Sequence, residues 1–391
     1  MDLNRKKSPL REEFRSLGAL VFNAEKTIKE IAFFASQAQY ISYYQGLLDE
    51  LLVREKEILY LTSELSDPIL EKKRDTLTSL FSKSFLPLTF PMLSPPVLVT
   101  TIPDIQQYQI KRSFSGTNYV YVFHSLVSTH KMYRTGAFDY YDTIFCVGPH
   151  HLTEIRETEK VYNLPAKTLH EVGYYRLEKI HAEYQEYLAK KVDDDSRKLV
   201  LIAAGWQDDN ILDTCADDLI ISLLKEDFEV VFRPHPMTIE KKPELLNALK
   251  GRFAKEEHFQ LDVKTISEKY LHAADVMICD WSGVALEYAY GTERPVLFVD
   301  LPPKVHNPEY EKIGIEPLEV RIRNEIGKSI QPEQASQAGE IVKNFINQRE
   351  KYKEQIIASR KENIYNFGSS SKIGADIIED ILKKGIKGRV I

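Results

Sequence analysis

Short apolar runs alternate with segments of helical spacing along most of this chain, and that alternation limits the fold more than any other feature. The run "IAFFA" at residues 31–35 is followed by "YYQGLLDELLVR" and then by "ILYLT" at residues 58–62. A strand, a helix and a second strand within about 35 residues are typical of a parallel βαβ unit. The runs "VLVTT", "NYVYVF" and "DTIFCV" predict further strands.

A second series follows a charged stretch around residues 190–197, which contains three consecutive aspartates. The runs "KLVLIAA", "FEVVF", "FQLDV", "DVMIC" and "PVLFV" predict strands, and helical segments separate most of them. The two series predict an α/β fold of two Rossmann-like domains facing a cleft, with a helical C-terminal tail. The predicted limits are residues 1–190, residues 191–340 and, for helices packing back on the domains, residues 341–391.

Composition excludes several classes of protein. The chain has 391 residues, enough for two domains with separate cores. Its net charge of -6 argues against a nucleic-acid-binding protein, which usually carries a basic surface. The cysteines at positions 146, 215 and 279 are too far apart for a zinc ribbon or a disulfide framework, so a reducing cytoplasmic setting is expected. Neither a metal cluster nor a cofactor motif is apparent.

The N-terminal segment has two interpretations. No signal peptide and no membrane-spanning run are visible in the sequence. Residues 11–30 mix charges with apolar side chains at helical spacing, which predicts an amphipathic helix. Such a helix packs on its own domain or lies on a membrane surface. Together with the basic C-terminal segment "KKGIKGRVI", it leaves peripheral membrane association open.

Polar side chains follow several of the predicted strands, where ligands bind in parallel α/β sheets. The motif "DWSG" at residues 280–283 stands between a strand and a helix. The first N–H groups of that helix would point at an anion, which Ser282 and Gly283 could bind or approach. Asp280 suits hydroxyl groups of the same ligand. The alternative is simple capping of the helix by Asp280 or Ser282.

Two histidines at strand ends are candidates for catalysis. In "FRPHP", Arg233 could pair with phosphate oxygens and His235 could donate to a phosphate, although a structural role in a rigid loop is equally open. His124, after "NYVYVF", could act as a general base. Lys131 and Arg134 follow it and could neutralise a second anion, or they could form a solvated face.

These motifs resemble the CDP-glycerol glycerophosphotransferases, which include teichoic-acid primases and polymerases. "FRPHP", "LHAADVMICDWSGVALEY" and "ERPVLFVD" are similar to that family's C-terminal motifs. "FHSLVSTHK" and "VGYYRLEK", which contains Arg176, match its N-terminal motifs more loosely. Trp281 stands where the family usually has tyrosine, and Gly283 where it has a second serine. Trp206 stands roughly at a family donor-site turn.

The resemblance implies a fold and an activity. The fold would be of GT-B type, with an N-terminal acceptor domain and a C-terminal donor-nucleotide domain. The enzyme would move a glycerophosphate-like unit from a CDP-activated donor to a hydroxyl of a cell-envelope glycan or lipid-linked precursor. His124 would be the base, and His235, Arg233, Asp280, Ser282, Gly283 and Trp206 would serve the donor. Lys131, Arg134 and Arg176 would contact the acceptor or a second anion.

Two other functions stay open at this point. The first is a nucleotide-sugar glycosyltransferase or UDP-sugar 2-epimerase-like enzyme on the same scaffold, for which Asp104, Asp139 and Asp280 are the obvious carboxylates. The second is a protein that only binds a nucleotide or a polymer. Should His124 not be the base, Asp104 or Asp139 would be next in line.

Overall fold

The computed structural model describes residues 8–113, 116–191, 197–263, 268–303 and 305–385. The three consecutive aspartates, the end of the basic C-terminal segment and the start of the helix predicted at "TISEKYLHAA" lie outside the described residues.

The strands of the described chain follow one another at the positions that the apolar runs predict, with three additions. They are β1 (Ile31–Ala35), β2 (Ile58–Thr62), β3 (Leu77–Phe81), β4 (Val97–Thr100), β5 (Asn118–Val122), β6 (Thr143–Cys146), β7 (Thr168–Glu171), β8 (Leu199–Ala204), β9 (Glu229–Pro234), β10 (Phe259–Leu261), β11 (Val276–Cys279), β12 (Val296–Val299) and β13 (Gly327–Ile330). The additions are β3, β7 and β13.

The α-helices connect these strands and form the C-terminal segment. They are α1 (Pro9–Phe22), α2 (Ala24–Thr27), α3 (Gln45–Val53), α4 (Leu86–Met92), α5 (Thr129–Met132), α6 (Pro149–Val161), α7 (Tyr175–Lys190), α8 (Ile211–Thr214), α9 (Ala216–Lys225), α10 (Pro236–Lys241), α11 (Pro243–Arg252), α12 (Lys269–Ala273), α13 (Val284–Thr292), α14 (Leu318–Arg321), α15 (Arg323–Ile326), α16 (Ala338–Asn347), α17 (Arg349–Asn363) and α18 (Ser370–Lys384). Short 3₁₀ segments lie at Ala38–Tyr43, Pro68–Glu71, Tyr310–Ile313 and Pro332–Gln337.

The chain divides into two compact units whose limits differ from the predicted ones. Unit 1 contains Met1–Ser125, Tyr133–Arg176 and Ile364–Ile391. Unit 2 contains Leu126–Met132 and Leu177–Asn363. Each unit includes a segment from the other unit's part of the chain: Leu126–Met132 belongs to unit 2, and Ile364–Ile391 belongs to unit 1. Packing, and not chain order, decides to which unit a helix belongs. A charged stretch marks the start of a new strand series, but it carries no information about such exchanges.

Unit 1 is built on a seven-stranded parallel sheet in the order β3-β2-β1-β4-β5-β6-β7. Its strands β1 and β4 are buried along their whole length, as expected for strands covered by helices on both faces. Because the strands are parallel, their carboxyl ends share one edge. The loops that carry Tyr40, His124 and Tyr174 leave the sheet at that edge.

Unit 2 is built on a six-stranded parallel sheet in the order β10-β9-β8-β11-β12-β13. Its core joins the faces of β8, β9 and β11 to apolar residues of α9, α11 and α16. The loops after β9, β8 and β11 are neighbours at the carboxyl edge. They carry His235, Trp206 and the "DWSG" motif, and so the sheet order brings together residues that are up to 75 positions apart, as in the contact between Gly205 and Asp280.

The C-terminal helices pack back as predicted in general terms, but they are shared between the units. Helices α16 and α17 lie against elements of unit 2, including α9, α13 and α15. Helix α18 instead packs on α3 of unit 1. Arg54 of α3 forms ion pairs with Asp376 and Glu379 of α18 at 2.6 and 3.4 Å.

Helix α1 covers part of the predicted amphipathic segment, and its buried residues are the polar Glu13 and Ser16 together with Leu20. Glu13 is 2% exposed, and its carboxylate accepts hydrogen bonds from the backbone N–H groups of Lys83 and Phe85 in front of α4. Other apolar side chains of the helix point outwards, with Phe14 57% and Phe22 82% exposed. None of the described helices is both long and apolar enough to span a membrane.

Candidate active site

The loops at the carboxyl edge of unit 2 bring Trp206 and His235 together, as the sequence predicts for strand ends. Their rings lie 6.1 Å apart between centroids. The ammonium of Lys241 lies 5.2 Å from the Trp206 ring, and the His306 ring lies 6.4 Å from it. An aromatic face with cations beside it is suited to a planar or anionic ligand. Sequence reasoning missed Lys241 of α10 and His306 of a loop, because both lie outside the recognised motifs.

His235 is held in one tautomer by its own loop. It is the N-cap of α10, and its Nδ1 accepts a hydrogen bond of 3.1 Å from the backbone N–H of Met237. A nitrogen that accepts carries no proton, so the neutral ring carries its proton on Nε2. His235 therefore caps a helix in a rigid loop, and the donation of its Nε2–H to a phosphate stays a prediction.

Asp280 is a structural residue in this loop cluster, which corrects the expectation that it binds ligand hydroxyls. It is 1% exposed, and its carboxylate accepts hydrogen bonds from the backbone N–H groups of Gly205, Ile211 and Trp281. Burial raises the pKa of Asp280, while these N–H groups act to lower it. The carboxylate thereby ties the end of β8 to the end of β11.

The N-terminus of α13 receives no cap from the residues considered from the sequence. The helix begins at Val284, and its N-cap is Gly283, which has no side chain to accept from the first N–H groups. The carboxylate of Asp280 is engaged elsewhere, and Ser282 is half-buried beside the helix start. The helix dipole adds a positive potential at this end. An anion with several oxygen atoms is the natural complement of such a terminus.

Arg233 is paired with a protein carboxylate, whereas the sequence suggested a phosphate partner. Its Nε and Nη2 donate to one carboxylate oxygen of Asp262 at 2.9 and 2.8 Å. Asp262 is 5% exposed, so the guanidinium neutralises a buried carboxylate. The sequence did not reveal this pair because Asp262 follows an edge strand, 29 positions further on.

Lys131 lies beside the "DWSG" loop in unit 2, although it was predicted in the N-terminal domain. Its ammonium is 4.6 Å from the Trp281 ring and 5.7 Å from the Tyr310 ring. Arg323 also stacks on Trp281, with its guanidinium carbon 3.5 Å from the ring centroid. Burial lowers the pKa of Lys131, and nearby Glu319 acts to raise it.

The segment that carries Lys131 is fixed in unit 2 by polar contacts. The backbone N–H and the hydroxyl of Ser128 donate to the carboxylate of Glu319, each at 2.9 Å. Asn307 donates to the carbonyl oxygen of His130 at 2.9 Å. Arg323 and Glu319 were missed by sequence reasoning, because neither belongs to a recognisable motif.

His124 lies at the carboxyl edge of unit 1 and is set up as a proton acceptor. Its Nδ1 is 3.2 Å from the carbonyl oxygen of Thr101 and 3.4 Å from the hydroxyl of Tyr121. A carbonyl oxygen can only accept, so Nδ1 carries the proton and Nε2 carries the lone pair. Burial lowers the pKa of His124 to about 4, although the bond to Thr101 acts against this shift. The imidazole is therefore neutral near pH 7.

The remaining candidates of unit 1 divide into two groups. Arg134 donates to Asp104 at 2.7 Å and stacks on Tyr108, so both Arg134 and Asp104 have protein partners. Arg176 instead lies over the Tyr43 ring at 5.6 Å. Tyr43 in turn is 6.0 Å from the His124 ring. Asp139 instead lies 4.0 Å from the ammonium of Lys167, and burial raises the pKa of Asp139.

One group of described residues could hold a metal ion. The ligand atoms of Glu183, Glu268 and His272 lie within 4.8 Å of one another. Glu183 already has a cationic neighbour, because the ammonium of Lys179 is 3.7 Å from its carboxylate. These residues lie on or beside α7 and α12, and not in the loops after β8, β9 and β11.

The two parallel sheets match the GT-B fold. The structure is similar to that of the wall teichoic acid polymerase TagF, with 16% identity, a TM-score of 0.59 and coverage of 96% of this chain and 98% of that chain. It is also similar to a putative UDP-N-acetylglucosamine 2-epimerase from Listeria monocytogenes, with 13% identity, a TM-score of 0.57 and coverage of 93% and 99%. UDP-GlcNAc 2-epimerase from Neisseria meningitidis gives 14% identity, a TM-score of 0.54 and coverage of 90% and 99%.

Residues 124–302 match the family model of CDP-Glycerol:Poly(glycerophosphate) glycerophosphotransferase. No curated protein matches the sequence. The family match begins at His124 and includes His235 and the "DWSG" loop. It confirms the resemblance that the motifs indicate, and over these residues the chain is similar to that family of transferases.

Proposed function

We propose that this enzyme transfers a glycerophosphate-like unit from a CDP-activated donor to a hydroxyl of a cell-envelope glycan or its lipid-linked precursor. The observation that carries the proposal is the uncapped N-terminus of α13 in unit 2, which has Lys131 beside its loop. A TagF structure obtained after a soak with CDPG supports the choice of donor. The family match supports the class of reaction.

In this proposal the donor diphosphate binds at the loops of unit 2. The N–H groups at the start of α13, the hydroxyl of Ser282, Nε2–H of His235 and the ammonium of Lys131 offset its charge. Gly283 allows a close approach. Trp206 offers a ring face to the nucleotide. Asp280 and Arg233 hold the loops through their own partners, and the donor does not touch them.

His124 takes the acceptor proton. The acceptor oxygen forms a bond to the β-phosphorus of the donor, and the bond from that phosphorus to the bridging oxygen breaks. CMP leaves with the bridging oxygen and its electron pair, while the acceptor proton moves to Nε2 of His124. The lone pair on Nε2 follows from the bond between Nδ1 and Thr101. No cofactor or metal takes part in this scheme.

A donor screen tests the proposal. CDP-glycerol, CDP-ribitol, a CMP-sugar and UDP-sugars are compared by thermal shift, and CMP or UDP release is then measured with a lipid-linked glycan acceptor. We expect stabilisation by CDP-polyols and acceptor-dependent release of CMP. Release of UDP, or interconversion of a UDP-sugar, would favour the glycosyltransferase or epimerase alternative. Binding of nucleotides without turnover would favour a non-catalytic protein.

We also infer that the enzyme works at the cytoplasmic face of a membrane, where a lipid-linked acceptor is presented. Helix α1 exposes Leu10, Phe14 and Phe22, and Leu88 of α4 is 62% exposed. Arg15 of α1 is 77% exposed. Apolar side chains flanked by cations favour an anionic lipid surface.

Flotation with vesicles that contain or lack phosphatidylglycerol tests this inference. We expect salt-sensitive co-migration with the anionic vesicles, and its loss in the Leu10→Ser, Phe22→Ser double variant. Val53→Ser is the matched control, because Val53 is 74% exposed but lies on α3. Failure of the unaltered protein to co-migrate at low salt would contradict the inference.

A further inference from the structure

We propose that Glu183, Glu268 and His272 bind a zinc ion, or a similar divalent metal ion, at the amino edge of the unit 2 sheet. The ligand atoms of the three side chains lie within 4.8 Å of one another. All three residues belong to unit 2, and the site is independent of the proposed function. A metal ion bound there joins helix α7 to the segment of helix α12.

The chain around α12 places the cluster at the amino edge. Helix α12 ends at Ala273, and β11 begins shortly afterwards at Val276. The backbone N–H of Asp275 donates to the carbonyl oxygen of Leu199, the first residue of β8, at 2.7 Å. The loops of the candidate active site leave the opposite edge of the same sheet. The metal ion therefore stabilises unit 2 and takes no part in the proposed reaction.

The ligand atoms face one another at a spacing that suits a metal ion. Nε2 of His272 and Oε2 of Glu183 are 3.7 Å apart. Two ligand atoms that each lie about 2.0–2.2 Å from a tetrahedral zinc ion are about 3.4 Å apart, so a small movement brings both into one coordination sphere. An imidazole nitrogen together with carboxylate oxygens suits zinc, whereas magnesium and calcium prefer oxygen ligands alone.

His272 makes this cluster more than a pair of acidic side chains. Its side chain is 12% exposed, and its Nε2 is buried without a hydrogen-bond partner in the part of the chain that the structure describes. A buried ring nitrogen without a partner is unfavourable, and coordination to a metal ion would satisfy it. Burial also lowers the pKa of His272, so the imidazole is neutral near pH 7, as a metal ligand must be.

The two carboxylates can coordinate a metal ion and keep other partners. The ammonium of Lys179 lies 3.7 Å from Oε1 of Glu183, whereas His272 faces Oε2, so coordination through Oε2 leaves Oε1 to Lys179. A carboxylate has about four lone-pair sites, so Glu268 can likewise coordinate and keep a protein contact. Burial raises the pKa of Glu183, and a hydrogen bond to Glu268 adds to this shift. A metal ion would replace the proton that joins the two carboxylates.

Arg294 holds the ligand-bearing segments in place. It is 1% exposed, and its Nη1 donates to the carbonyl oxygens of His272, at 3.0 Å, and of Ala274. Its guanidinium carbon also lies 4.8 Å from the centroid of the Tyr184 ring on α7. Arg294 is thus a positioning residue for both sides of the site. Its charge and that of Lys179 oppose cations that bind by charge alone, which favours zinc over magnesium or calcium.

Calorimetry with ZnCl₂ tests the site on the purified full chain without an oligohistidine tag. We expect saturable zinc binding and much weaker binding of MgCl₂ and CaCl₂. His272→Ala and Glu183→Gln should each weaken zinc binding about 100-fold or more, because loss of an outer partner of a metal ligand already costs about 10- to 100-fold. Zinc should raise the melting temperature of the unaltered protein, and His272→Ala should lose that shift.

Two further variants control for folding and for zinc bound elsewhere. His258→Ala should keep the zinc affinity, because His258 lies 3.2 Å from Glu229 but belongs to no group of three ligands among the described residues. Lys179→Met should tighten zinc binding by up to about fivefold, since it removes a weakly paired cation, and a damaged fold would not produce that change. Equal zinc affinity of the unaltered, His272→Ala and Glu183→Gln proteins, or no saturable zinc binding by the unaltered protein, would overturn the site.

Discussion

His124 of unit 1 donates through Nδ1 to a carbonyl oxygen, whereas His235 of unit 2 accepts through Nδ1 from a backbone N–H group. The first arrangement leaves a lone pair on Nε2, and the second leaves a proton there. The surroundings of the two histidines also differ. Tyrosine rings surround His124, while His235 lies in the unit that also contains Lys131 and the N-terminus of α13.

This comparison shows that the residue type does not decide what a histidine can do. A backbone group three ångströms away selects the tautomer, and the tautomer selects between base and donor. The two units carry one histidine of each kind. The proposed reaction, which removes a proton from an acceptor and stabilises a phosphate on the donor, would use that division.

The largest expected effect is the loss of turnover on substitution of His124, the histidine of unit 1 in this pair. His124→Gln removes the basic ring nitrogen while retaining a polar side chain, so turnover should fall roughly 10²–10⁴-fold. Donor affinity should stay nearly the same, because no donor contact is lost. Steady-state kinetics and calorimetry with the donor measure the two quantities. Near-normal turnover would make His124 a packing residue and would leave Asp139 as the next candidate, since Asp104 is paired with Arg134.

The next effect concerns His235. His235→Asn should retain the N-cap, because asparagine is a preferred cap, but it removes the Nε2 donor. Donor affinity should fall about 10- to 100-fold, and turnover should fall with it. Titration of the donor and a thermal melt distinguish this result from loss of the cap. A variant that melts lower but binds the donor normally would reduce His235 to its structural role.

Ser282 and Arg233 form a sharper comparison within unit 2. Ser282→Ala should weaken donor binding by about 1–3 kcal/mol and leave stability nearly unchanged. Arg233→Ala should do the reverse, because it leaves the buried carboxylate of Asp262 without its cation. Donor titration and urea denaturation of both variants decide the matter. Weaker donor binding by a fully stable Arg233→Ala protein would restore the sequence-based role of Arg233.

The smallest effect is on pH dependence. An ordinary histidine would give an apparent pKa near 6.5, as the sequence alone predicts, whereas burial lowers the pKa of His124 to about 4. Turnover should therefore change little above about pH 6 and decline only as the pH approaches the lowered pKa. Loss of half the activity near pH 6.5 in the unaltered enzyme, but not through unfolding, would contradict this expectation.

The free energy of unfolding should also depend on pH, because the pKa of His124 is lowered in the folded protein. Between the two pKa values the unfolded chain binds a proton at His124 that the folded protein does not, so stability rises with pH across that window. Acidification from about pH 6.5 should destabilise the unaltered protein more steeply than His124→Gln. Thermal melts of both proteins over this range measure the difference.

Interior strands were predictable, and edge strands were mostly not. Strands β1 and β11 are buried at every position and appear in the sequence as unbroken apolar runs. Strands β3, β7 and β13 lie at sheet edges and contain partly or fully exposed residues, so their sequences lack that signal. The edge strand β10 was found only because its short run stands between two predicted helices.

The candidate site was also only partly predictable from the sequence. Position after a strand was enough to predict candidate roles for His124, His235 and Ser282. It could not reveal the partners of His124 and Arg233, because the carbonyl of Thr101 and the carboxylate of Asp262 come from distant parts of the chain. Tyr40 and Tyr43 were overlooked because a short 3₁₀ segment has no periodic pattern that marks it.

The packing of α18 on α3 has a consequence for the order in which the protein can form during synthesis. All of unit 2 up to Asn363 is translated before the α18 segment of unit 1. Until then the apolar face of α3 lacks the helix that covers it. That helix is translated more than three hundred residues later, because Arg54 and Asp376 are 322 positions apart. Domains usually fold in the order of their translation. Here we expect the later-starting unit to finish first, with the first strands of the chain reaching their final stability last.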